Sequence, residues 1–117
     1  MGQSVMMEAA TMIRPTRTKM EVVEYELGNW YLFSWGEDFY LDVRTGLHGY
    51  GFWLLLKLDP LEVERYLEDK KFFLRVLIKE ILQSPLAYFA RNASIETQKI
   101  AFEAVTAWRH GPRRPRV

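Results

Sequence analysis

The sequence predicts one α+β domain, in which a four-stranded antiparallel meander is followed by two helices packed on one face of the sheet. Short alternating segments with Gly-containing turns come first, between residues 20 and 58. A proline then marks a sharp boundary, and apolar residues recur at helical spacing after it. Strands followed by helices in this order are typical of an α+β layer, and a length of 117 residues fits one such domain.

Three segments are distinguished along the chain. The domain is assigned to residues 20–112, because the alternating pattern begins at Met20 and the last helix stops at Gly111-Pro112. Residues 1–19 form an N-terminal extension without clear periodicity, and residues 113–117 form a basic C-terminal tail.

Short turns separate the four predicted strands. Each turn contains a Gly, at Gly28-Asn29, Gly36-Glu37 and Thr45-Gly46, as tight hairpins prefer. Connections this short join antiparallel neighbours. The strands are expected at residues 20–27, 30–35, 38–44 and 47–58. In the last strand, Gly49 and Gly51 indicate a bulge or a close backbone approach.

The first helix has a start signal with a physical basis. The Asp59 side chain can cap free backbone amides, Pro60 suits the first helical position, and Glu62 lies where the helix dipole favours an anion. Apolar residues at helical spacing follow, and Ser84-Pro85 ends the helix. The charged run at 68–71 marks a kink or a break within it.

The second helix begins at another capping signal. Ser94 precedes an apolar stripe that is less regular than the first one and ends at Gly111-Pro112. Residues 86–91, between the two helices, are predicted as either a loop or a short helical turn.

Composition excludes several classes of protein. A net charge of +1 gives no global attraction to nucleic acid or to anionic membranes. No apolar run approaches the roughly 20 residues that span a bilayer, and the first residues do not resemble a signal peptide. The absence of Cys excludes disulfides, a thiolate nucleophile and Cys-ligated metals. We expect a cytoplasmic protein that binds no nucleic acid, membrane, cofactor or metal.

The polar residues give weak support for catalysis. His48 lies near the start of the fourth predicted strand, and Asp38 and Asp42 share one face of the third. Along a strand these two carboxylates lie about 13 Å apart, too far for a paired-carboxylate mechanism. No sequence motif of high specificity accompanies them, so enzymatic activity is not the leading hypothesis.

Aromatic residues are the informative feature, at 15% of the chain. They alternate so that both faces of the predicted sheet are apolar, and two helices can cover only one face. The other face is then covered by residues 1–19, covered by a second copy of the chain, or left as a binding surface. The rings expected to bind a partner are Trp30, Tyr31, Trp35, Tyr40, Tyr50 and Trp53.

Two functions follow from these observations. The leading hypothesis is a non-catalytic interaction module, of an inhibitor, immunity or adaptor type, that binds a protein partner or forms a homodimer through the aromatic sheet face. The alternative is a small-ligand-binding protein, or a minor enzyme, with a pocket between sheet and helices near His48. The polar group of that pocket would be His48, Asp38 or Asp42. A cavity favours the alternative, and a flat exposed patch favours the leading hypothesis.

Overall fold

The computed structural model describes residues 19–46 and 52–111, which form a four-stranded antiparallel sheet followed by helices. Each strand pairs with its neighbours in the chain, so the predicted meander and the α+β class are confirmed. The strands are β1 (Glu21–Glu26), β2 (Trp30–Trp35), β3 (Asp38–Thr45) and β4 (Phe52–Lys57). The predicted start of the last strand, with Gly49 and Gly51, lies outside the described residues.

Two of the predicted turns contain a glycine in the left-handed region of backbone space. Gly28 has a φ of 82° and Gly36 has a φ of 67°. Such angles are costly for residues with a Cβ, which explains why Gly occurs at these hairpin positions.

The helices are α1 (Pro60–Glu68), α2 (Lys70–Gln83), α3 (Pro85–Tyr88) and α4 (Ile95–His110), with a 3-10 turn at Phe89–Arg91. The capping signal at the start of α1 is confirmed. The Glu62 amide donates to the Asp59 carboxylate at 2.8 Å, and the Asp59 amide donates to the Glu62 carboxylate at 2.9 Å.

The predicted first helix is interrupted at Asp69, within the charged run at 68–71. Asp69 has a φ of −149° and a ψ of 80°, so it separates α1 from α2. The segment 86–91, which the sequence left open, is helical through α3 and the 3-10 turn.

The helices cover both faces of the sheet, whereas the sequence predicted that they would share one. On one face, here the α1/α2 face, sheet leucines such as Leu32 and Leu41 pack with Tyr66 of α1 and with Leu77 of α2. On the opposite α4 face, a second cluster includes Ala101 of α4. Its other buried members are Met20, Tyr31, Phe33 and Leu55. The physical reason is the double apolar alternation of the strands, since each apolar face must be buried.

The chain reaches the α4 face by passing along the outer edge of β4. The Leu55 amide donates to the Asn92 side-chain oxygen at 3.0 Å, and the Ala93 amide donates to the Leu55 carbonyl at 2.8 Å. The Arg91 guanidinium donates to the Lys57 carbonyl at 3.0 Å. These bonds occupy the free edge of β4 and place α4 on the side of the sheet opposite α1 and α2.

Candidate ligand-binding site beneath the last helix

The aromatic residues predicted to bind a partner are divided between the two faces of the sheet. Trp30 packs against the core of the α1/α2 face. Tyr31, Trp35 and Tyr40 belong to the cluster on the α4 face. Tyr50 lies outside the described residues.

Helix α4 covers most of the rings on its face. The buried Tyr31 ring lies 5.9 Å from the Trp108 ring, and the Trp35 ring lies 5.8 Å from the Tyr40 ring. Trp53, which also lies on this face, is 39% exposed, and its ring is 5.9 Å from that of Tyr31. Tyr31 is therefore part of the core, Trp35 and Tyr40 pack half-buried against it, and Trp53 reaches solvent at its margin.

A cavity of about 350 Å³, open to solvent on one side, lies between this part of the sheet and α4. Strands β2, β3 and β4 contribute one side, and α4 contributes the other. The lining residues are Tyr31, Asp42, Trp53, Leu55, Gln98, Phe102, Val105 and Arg109.

Asp42 is the acidic group of this cavity. Its direct neighbours on the adjacent strands are Tyr31 and Leu55, so apolar side chains flank the carboxyl group. Burial raises its pKa from the ordinary 3.8 to about 7. Among residues 19–46 and 52–111, Asp42 has no hydrogen-bond or ion-pair partner. In the same residues, every side-chain oxygen that is completely shielded from solvent has a hydrogen-bond partner, so the Asp42 oxygens are not completely shielded. Its carboxyl oxygens therefore stay accessible from the cavity although they have lost much of their hydration.

Two further polar side chains reach the cavity from α4. Gln98 is oriented by its amide nitrogen, which donates to the Ala93 carbonyl at 2.8 Å, and its own carbonyl oxygen remains as an acceptor. Arg109 lines the cavity from the last turn of α4. Carboxylate, amide and guanidinium groups thus meet around aromatic walls.

The other two polar candidates do not share this position. Asp38 lies at the start of β3, half exposed, with its carboxylate 3.7 Å from the Lys57 ammonium. It does not line the cavity. His48 lies outside the described residues. Of the predicted polar residues that the structure describes, Asp42 is the one between sheet and helix.

The α4 half of the cavity was missed by sequence reasoning. Gln98, Phe102, Val105 and Arg109 follow one another at intervals of four, three and four residues, which places them on one side of a helix. This spacing was the available signal. It was hidden because the helix was expected to present a single apolar stripe to the same face as α1 and α2.

Comparison of the chain with family models, curated proteins and solved structures found no match. Within the part of the chain that the structure describes, no group of His, Asp and Glu side chains is arranged to hold a metal ion. None of the helices in residues 19–46 and 52–111 is long and apolar enough to cross a bilayer.

Proposed function

We propose that the protein binds a small organic cation, an ammonium group on an apolar or aromatic body, in the cavity beneath α4. The observation that carries the proposal is Asp42, a partly dehydrated carboxyl group without a protein partner among the described residues. A protein with this cavity acts as a small-ligand-binding module and needs no catalytic step.

The charge of the ligand follows from the state of Asp42. A carboxylate that has lost hydration gains more from an adjacent positive charge than an exposed carboxylate does, because the local dielectric constant is low. Tyr31, Trp53 and Phe102 line the same cavity and can contact a cation through their ring faces. An anionic ligand would be repelled by Asp42, and its attraction to Arg109 would be weaker, because Arg109 is exposed in the last turn of α4, where solvent screens its charge.

The size of the cavity indicates a small ligand. Its volume of about 350 Å³ is near the lower end of the range of small-molecule pockets. Leu55 and Val105 add apolar surface beside the rings, so the body of the ligand should be hydrophobic. An arylalkylamine satisfies both requirements.

Three probes of similar shape test the proposal: phenethylamine, neutral 2-phenylethanol and anionic 3-phenylpropionate. Because a ligand that binds only the folded state raises the melting temperature, the amine should raise Tm at pH 8 and the other two should have little effect. Asp42→Asn should abolish the rise, whereas Asp38→Asn, on the same strand, should preserve it. An equal rise with 2-phenylethanol, or loss of the rise in Asp38→Asn, would contradict a role for the Asp42 charge.

A second candidate is the protein-interaction module, binding a partner or a second copy at the mouth of this cavity. It is favoured by Trp53, which is 39% exposed, and by Phe102, which is 72% exposed, because large exposed rings are frequent interface anchors. Light scattering coupled to size exclusion, on the full chain at several concentrations, tests self-association. A dimer that the double variant Trp53→Ser/Phe102→Ser dissociates would support this candidate, and a monomer at all concentrations would exclude self-association.

For either function, we propose a cytoplasmic location, which the Cys-free composition favours.

A further inference from the structure

Helices α1 and α2 form a second groove, away from the cavity beneath α4. Its volume is about 470 Å³. Three apolar side chains in it are exposed: Leu61 by 56%, Phe72 by 62% and Val76 by 38%. These side chains lie outside the core, to which α2 contributes the buried residues Leu74, Leu77 and Ile81. Exposed apolar residues that share one groove indicate a surface that binds something.

The rim of this groove is strongly acidic. Its carboxylates are Asp59, Glu62, Glu68, Asp69 and Glu80, and Arg65 is the one basic residue in the lining. Glu62 is neutralised by Arg91, whose guanidinium lies 2.7 Å from its carboxylate. Among the described residues, the other four carboxylates form no ion pair. The apolar groove is therefore bordered by a net negative charge, because five carboxylates face only Arg65 in the lining and Arg91 beside Glu62.

The exposed apolar side chains and the acidic rim lie together along one side of α2. Phe72, Val76 and Glu80 follow one another at intervals of four residues, so they share one side of α2, and Asp69 immediately precedes the first residue of this helix. Acidic positions thus flank apolar ones at both ends of the exposed stripe. A ligand that covers Phe72 and Val76 also meets carboxylates at either end.

We infer that this groove binds a basic amphipathic helix of a partner protein. Apolar side chains of that helix would cover Leu61, Phe72 and Val76, and its Lys and Arg side chains would meet the acidic rim. A groove between two helices suits a third helix laid along it. The charge argues against nucleic acid and anionic membranes. It also argues against a symmetric dimer, which would bring the same carboxylates of two copies together.

The test uses a fluorescent peptide of Lys and Leu that forms an amphipathic helix of about four turns, and a matched peptide with Glu in place of Lys. Fluorescence anisotropy should show that the full chain binds the Lys peptide and does not bind the Glu peptide. Binding should weaken as the salt concentration rises from ~0.05 to ~0.3 M, because screening by salt shortens the range of the electrostatic attraction. The double variant Phe72→Ser/Val76→Ser should raise Kd at least about tenfold, and Glu68→Lys should raise it severalfold.

The control variant is Leu82→Ser/Leu86→Ser, which removes two exposed leucines that do not line the groove. It should bind the Lys peptide like the parent chain, and the circular dichroism spectra of all variants should match. The inference is overturned if the control loses binding equally, if the Glu peptide binds as well as the Lys peptide, or if Phe72→Ser/Val76→Ser has no effect. It is also overturned if the chain is a dimer that Phe72→Ser/Val76→Ser dissociates, because a second copy would then occupy the groove.

Discussion

Tyr31 on β2 and Asp42 on β3 are direct cross-strand neighbours on the α4 face, so a buried ring closes one side of a carboxyl group. Leu55 closes the other side from β4. A polar residue placed in the middle of an apolar row costs folding free energy when it is charged. The position therefore has a stability cost that a ligand of opposite charge would remove.

The stability of the ligand-free protein should fall as pH rises through the range in which Asp42 ionises. Its pKa is 3.8 ordinarily and about 7 in the folded state, so between these values the folded protein holds a proton that the unfolded chain has released. The unfolding free energy should decrease across this window by up to about 4 kcal/mol from this group. Asp42→Asn removes the effect, and urea unfolding at pH values between about 4 and 8 measures it.

The informative quantity is the difference between Asp42→Asn and the parent chain, because other carboxylates titrate in both. This difference should grow in favour of the variant up to about pH 7 and then level off. Asp38→Asn, which breaks an exposed ion pair on the same strand, should change stability by less than about 1 kcal/mol. A difference between Asp42→Asn and the parent that does not vary with pH would show that Asp42 has an ordinary pKa.

The affinity for a cationic ligand should have the opposite pH dependence. The ionised carboxylate binds the ammonium group, so the Kd of phenethylamine should rise about tenfold for each pH unit below about 7 and stay constant just above it. Near pH 6, binding should release a proton from Asp42, which calorimetry detects in buffers of different ionisation enthalpy. If the stability measurements show the raised pKa, an affinity that is constant from about pH 5.5 to 8 would mean that Asp42 does not contact the ligand.

Much of the fold could be predicted because its signals are local. The bounds of β2, at Trp30–Trp35, follow from the flanking turns, and the start of α1 follows from Asp59 and Glu62. The break at Asp69 lies within a charged run that had suggested it. These features depend on residues within a few positions of one another, which is the range over which sequence patterns are informative.

The placement of α4 could not be predicted in the same way. It depends on Asn92 and Ala93 bonding to Leu55, which is 37 residues from Asn92 in the chain. A hydrogen bond between positions so far apart leaves no periodic signal. The candidate site depends on this placement, because α4 forms half of its wall. Asp42 was therefore identified from its strand, whereas Phe102 and Arg109 were not.

The edge contact at Asn92 should be important for stability. Asn92→Ala removes the acceptor of the Leu55 amide, and a partly buried donor without a partner should cost about 1–3 kcal/mol. Asn29→Ala is the matched control, since the Asn29 side chain bonds to Glu26 in an exposed turn and should cost less than about 1 kcal/mol. Chemical denaturation of both variants gives the comparison. Equal losses of unfolding free energy in the two variants would mean that the contact at the β4 edge does not hold the segment before α4 in place.

Any side chain at Gly28, in the turn between β1 and β2, should lower the unfolding free energy. A Cβ at this position would meet no atom within 4 Å, so the cost comes from the backbone, whose φ is +82°. Gly28→Ala should lower the unfolding free energy by about 1 kcal/mol. Gly46→Ala is the control, because it also has open space and no φ in the left-handed region, and it should be neutral or slightly stabilising. Thermal unfolding distinguishes the two variants, and a Gly28→Ala variant as stable as Gly46→Ala would show that the turn adopts another backbone conformation in solution.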